Sequence, residues 1–63
     1  MNPLREDLNI IQQWIKPNSK ALDLGCGAGV LLKYLKEHKN VHGYGLEISP
    51  EKITACIQKG VNV

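Results

Sequence analysis

Cysteine is scarce in this chain, and the little there is has no metal-binding pattern. Cys26 and Cys56 form no CxxC pair and have no set of histidines beside them, which argues against zinc. Cys26 falls inside a glycine-rich stretch and Cys56 on the apolar side of a helical repeat. Both read as small buried residues rather than as a disulfide or a nucleophile. Long hydrophobic runs are also missing. No stretch approaches the roughly 18 apolar residues of a membrane span, and the N-terminus is amphipathic rather than a signal peptide, so a cytoplasmic location is expected. Charge of one sign is in short supply too. A formal net charge of +2 from scattered basic residues gives no footprint for nucleic acid. Lys33, Lys36 and Lys39 recur at helical spacing beside Glu37 and read as a solvated helix face. No internal repeat or low-complexity linker divides the chain. At 63 residues it lies near the lower limit for independent folding, and residues 1–63 are expected to form one segment of a single domain rather than a whole enzyme.

What is present is a regular alternation. Leu4, Leu8, Ile11 and Ile15 repeat at helical spacing, and Pro17 ends that helix because the residue before a proline is pushed out of the α region. Trp14 is expected to pack near the helix end, and Pro17-Asn18-Ser19 reads as a turn. Lys20 to Leu24 is a short, mostly apolar run, expected as a buried strand. Val30, Leu31, Tyr34 and Leu35 mark one face of a second helix ending near His38 to Asn40. Val41 to Ile48 is the second strand, where Gly43 and Gly45 suggest close backbone approach or a bulge. Ser49-Pro50-Glu51 is a strong helix start, with a serine N-cap, proline at N1 and an acid in the first turn. Ile53, Cys56 and Ile57 give its apolar stripe, Gly60 its C-terminal cap, and Val61 to Val63 the start of a third strand. Helix, strand, helix, strand, helix and strand start imply an α/β fold: the N-terminal part of a Rossmann-like parallel sheet, incomplete as it stands.

The chemistry is concentrated in Asp23-Leu24-Gly25-Cys26-Gly27-Ala28-Gly29, between a strand and a helix. Glycines there let the backbone turn sharply and approach a ligand, and the helix N-terminus adds partial positive charge. Glu47 ends the next strand, where a doubly wound sheet faces the ribose of a bound nucleotide. The spacing is G-x-G-x-G, with Val30 where the last glycine of a dinucleotide fingerprint would fall, and no G-K-[ST] follows to make a P-loop. Asp23, at the carboxyl end of its strand, would repel a pyrophosphate but suits a ligand with a cationic amine. S-adenosylmethionine has that amine, a ribose and no phosphate. The candidate cofactor-binding residues are therefore Asp23, Gly25, Cys26, Gly27, Gly29 and Glu47. His42 stands at the start of its strand, the end away from the cofactor, so no catalytic residue is assigned.

Asp23 to Gly29 resembles motif I of class I S-adenosylmethionine-dependent methyltransferases, and Glu47 their second-strand acid. The resemblance is closer to the methionine-biosynthesis MetW family. It runs through Ile11-x-x-Trp14-Ile15, Leu22-Asp23-Leu24-Gly25-Cys26-Gly27, Gly43-Tyr44-Gly45-Leu46-Glu47-Ile48 and Cys56-Ile57-x-x-Gly60-Val61-Asn62-Val63. Ala28 departs from it, standing where such chains usually carry Asp. Members run well beyond this length, so the resemblance implies an N-terminal fragment that is inactive alone, with its first strand central in the whole sheet and its second strand between the first and the third. It also implies binding of S-adenosylmethionine or S-adenosylhomocysteine, a role in methionine biosynthesis, and a homoserine O-acyltransferase as partner. Two alternatives stand beside it: a fragment of another class I methyltransferase, and a non-catalytic module that binds the acyltransferase.

Overall fold

The structure, a computed structural model, describes residues 5–63. Three helices and two strands alternate: α1 (Glu6–Gln13), β1 (Lys20–Leu24), α2 (Val30–Lys39), β2 (His42–Leu46) and α3 (Pro50–Gln58). β1 and β2 pair in parallel without a bulge, from Lys20 opposite His42 to Leu24 opposite Leu46. The third strand begins as a single parallel bridge, Tyr44 to Asn62, reinforced by Gly45 N–H donating to the Asn62 carbonyl at 2.8 Å. It therefore lies on the side of β2 away from β1. This is the start of a Rossmann-like sheet, as the alternation implied.

Side chains alternate across a strand, so each strand has two faces. On one face lie Ala21, Gly43 and Gly45, and against it pack Leu32 and Leu35 of α2, Val41, Cys56 of α3 and Val61. Bare glycine backbone is what lets α2 come so close. A Cβ on Gly43 would sit 2.6 Å from Leu32 Cδ2, and one on Gly45 would collide with the Cys26 sulfur. The sequence left close approach or a bulge open at these glycines, and close approach is what occurs.

On the other face lie Leu22 (65% exposed), Leu24 (71%), Tyr44 and Leu46, uncovered by any described residue. This corrects the reading of β1 as a buried strand. Its two leucines point away from the helices, and the inward positions are Ala21 and Asp23. Both faces of a parallel sheet are usually covered, and here only one is.

The helices differ from expectation in which residues they bury. Along α1 the expected stripe of Leu4, Leu8, Ile11 and Ile15 reaches the core only at Ile15, which packs against it. Leu4 lies outside the described residues, Ile11 is exposed, and the buried residue is Gln12. Gln12 donates from Nε2 to Asn9 Oδ1, and its carbonyl takes the Lys39 ammonium. Trp14, expected to pack, is 76% exposed, because the helix ends there and the chain turns away. In α2 the most buried residues are Leu32 and Leu35, with Val30 exposed. The lysine face is only partly a solvated one: Lys33 pairs loosely with Glu37, but Lys36 and Lys39 cap carbonyls of Gly60 and Gln12.

Helix ends follow the sequence closely. Asn40 and Gly60 both take the left-handed conformation (φ 51° and 74°) after α2 and α3. After α3, Gly60 N–H bonds back to Ile57 and Val61 N–H to Cys56, a Schellman closure that aims the chain into the third strand. Ser49 does occupy the N-cap of α3 with Pro50 at N1, but its hydroxyl caps nothing. Among the described residues no helix is long and apolar enough to cross a membrane.

Candidate functional site

The loop from β1 to α2 turns through three glycines, all left-handed: Gly25 (φ 72°), Gly27 (59°) and Gly29 (81°). A side chain at any of them would be strained, and they divide by surroundings. Among the described residues nothing lies within 4 Å of where a Cβ on Gly25 or Gly27 would stand, so those two border open space. Gly29 instead packs inward, where a Cβ would come within 2.9 Å of Cys56 Sγ and 3.3 Å of Val61. Two of the glycines thus present bare backbone to a cleft, and the third joins the loop to the core.

Most amides of the loop are already engaged. Gly25 and Cys26 N–H both donate to the Leu46 carbonyl (2.7 and 3.2 Å), Gly29 N–H to Cys26 (3.1 Å), and Gly27 N–H to Glu47 Oε1 (2.8 Å). From α3, Lys59 Nζ donates to the Ala28 carbonyl (2.8 Å) and Cys56 S–H to the Gly27 carbonyl (3.1 Å). The loop is braced from β2 and α3 together.

Glu47 is placed as a latch. One oxygen accepts from Gly27, and the other accepts from Ile48 and Ser49 N–H, each at 3.0 Å. Those bonds, Ser49 first and Gly27 next, hold its carboxyl below the ordinary value of 4.5, with Lys52 adding to the effect. A carboxylate has about four acceptor positions, so three bonds leave it room for one more.

Asp23 is placed differently. Among the described residues its carboxylate has neither a hydrogen-bond donor nor a cation, and burial raises its pKa above the ordinary 3.8. It faces a cleft of about 670 Å³ with Gly25, Cys26 and Gly27. Leu8 and Ile11 of α1 and Val30 and Leu31 of α2 supply the apolar wall, and Arg5 and Lys52 bring positive charge. Leu8 and Ile11 of the expected α1 stripe thus line this cleft, while Ile15 packs on the core.

Of the six residues singled out from sequence, Asp23, Gly25, Cys26 and Gly27 share the cleft, Gly29 lies behind it, and Glu47 holds the loop from the side. Burial, the Cys56 hydrogen bond and the nearby Cys56, Asp23 and Glu47 charges push the Cys26 thiol up to about 11. The sequence did not point to Lys59 or Lys52, since a lysine on a helix reads as solvated whatever it touches. Arg5 carried no signal in the sequence either. His42 borders a separate, smaller cavity of about 130 Å³ at the opposite strand ends. Among the described residues no group of three or more His, Cys, Asp or Glu could hold a metal ion.

Comparison with known proteins adds one finding. The profile of the methionine biosynthesis protein MetW family matches residues 5–63, and the chain belongs to that family. No individual curated protein and no solved structure matches it.

Proposed function

We propose, from membership of the methionine biosynthesis MetW family, that the cleft beside the glycine loop receives the amino-acid and ribose portions of S-adenosylmethionine or S-adenosylhomocysteine. The observation that carries this is Asp23, a partly desolvated carboxylate without a partner among the described residues, facing the cleft. A cationic amine placed against it would relieve the cost of its burial. Arg5 and Lys52 line the same cleft and suit the carboxylate at the other end of an α-amino acid. The engaged loop amides argue in the same direction. A pyrophosphate cradle works by offering free N–H groups, and here Gly25, Cys26, Gly27 and Gly29 have spent theirs within the protein. With three bonds accepted among the described residues, Glu47 keeps acceptor capacity for one more, which a ribose hydroxyl would use.

When bound, S-adenosylmethionine supplies a methyl group on a sulfonium, and its transfer is a displacement that depends chiefly on alignment. This chain's residues would bind and orient that group. None is assigned as acid or base, and we propose no activity for the chain alone. A homoserine O-acyltransferase as partner remains part of this reading. Competitive calorimetry with S-adenosylhomocysteine and NAD tests it. Tighter binding of S-adenosylhomocysteine is expected, and a preference for NAD, or binding of neither, would overturn it. Lys52→Met should weaken S-adenosylhomocysteine several-fold while leaving adenosine affinity unchanged, since only the amino-acid end would feel the change.

A further inference from the structure

The loop carries a second chemical feature that the ligand reading does not use. Cys26 Sγ and Cys56 Sγ lie 3.8 Å apart, from residues 30 positions apart in sequence, and both are free thiols. Glycines hold them there: Cys26 fits over the bare backbone of Gly45, and Cys56 over that of Gly29. Cys26 is partly exposed beside the cleft, whereas Cys56 is fully buried. A disulfide requires the two sulfurs to move about 1.8 Å closer, to a bond of roughly 2.05 Å.

We propose that Cys26 and Cys56 form an oxidisable thiol pair, and that closing a disulfide between them displaces the glycine loop. The oxidant is a hydroperoxide. Cys26, having lost its proton, attacks the outer peroxide oxygen. The O–O bond breaks, the alkoxide leaves and takes up that proton, and Cys26 becomes a sulfenic acid. Cys56 sulfur then attacks Cys26 sulfur, the S–O bond breaks, and water departs with the Cys56 proton. Two thiols and one hydroperoxide thus become one disulfide, one alcohol and one water, with two electrons passing from sulfur to oxygen. The accessible thiol reacts first and the buried one resolves it.

The loop feels the change through a named bond. Cys56 S–H donates to the Gly27 carbonyl, and that donor disappears on oxidation, while Gly27 N–H remains tied to Glu47. Any effect on ligand affinity rests on the function proposed above, but the disulfide and the loop shift do not.

The test treats the whole chain with hydrogen peroxide at mildly alkaline pH, then alkylates and digests it with trypsin. The expected product is a monomer lighter by two hydrogens, with peptides 21–33 and 53–59 cross-linked and released by dithiothreitol. In amide NMR spectra the Gly25, Gly27 and Gly29 signals should shift on oxidation and return on reduction. Cys26→Ser, at the more exposed position, should abolish the cross-link and those shifts. The proposal fails if both thiols stay alkylatable, if cross-links form only between chains, if Cys26 passes to sulfinic acid without a cross-link, or if the glycine signals stay put. S-adenosylhomocysteine binding in neither redox state would remove the ligand reading alone.

Discussion

The two carboxylates beside the loop respond to acid in opposite directions. Glu47 has a depressed pKa in the fold, so its contribution is complete above its ordinary 4.5 and is lost as pH falls through its lower folded value. Asp23 has a raised pKa, so its ionised form burdens the fold at neutral pH, and protonation relieves that burden. The Gly27 amide, which donates to Glu47, should therefore lose hydrogen-exchange protection in acid. Glu47→Gln should abolish that pH dependence, and Asp23→Asn should steepen it by removing the opposing contribution. A Gly27 amide whose protection stays unchanged as pH falls well below the ordinary 4.5, until the fold itself is lost, would contradict the latch. The glycines give a graded series at the same scale. Gly27→Ala forces a side chain into the left-handed region and should cost about 1–2 kcal/mol. Gly29→Ala adds a 2.9 Å encounter with Cys56 Sγ to the same strain and should cost more in urea unfolding. Equal losses at the two positions would mean that contact is relieved without cost.

At the scale of elements, α3 does more than cover the sheet. Its last turn places Cys56 and Lys59 on two consecutive loop carbonyls, and its Schellman closure turns Val61 into the core. Gly60→Ala leaves room for the new methyl, with Lys36 Nζ at 3.5 Å its one neighbour within 4 Å among the described residues. It should still cost about 1 kcal/mol through backbone strain, measurable as a lowered urea midpoint. Elements were legible in the sequence wherever a boundary had a local cause. β1 runs over the expected Lys20–Leu24, and α3 starts at the proline and closes at the glycine that announced it. Faces were less legible, because periodicity says which residues share a side but not which neighbour that side meets. Gln12 is buried with Lys39 on its backbone carbonyl, and Leu32 packs where Gly43 has no side chain, neither of which a helical stripe encodes. The glycine loop was readable from its spacing. Its bracing by Lys59 and Cys56 was not, since those contacts join positions about 30 residues apart.

At the scale of the molecule, the sheet is half clothed. Leu35, at the centre of the covered side, is 1% exposed, and Leu35→Ala should cost about 2–5 kcal/mol. Leu22, Leu24, Tyr44 and Leu46 form a continuous apolar patch on the other side, of the kind that drives association when left in water. The chain alone should therefore self-associate, and Leu24→Lys should shift sedimentation towards monomer without loss of helical circular dichroism. Unchanged sedimentation would place the association elsewhere. Trp14 sets the optics of all such measurements. It is the only tryptophan, and it stands 76% exposed at the end of α1, so its emission in the native state should already resemble that of indole in water. Melting the core will barely recolour it, which makes fluorescence a poor thermometer for this fold. The same indole becomes a beacon for anything that settles over the end of α1, because a blue shift there reports the loss of its water.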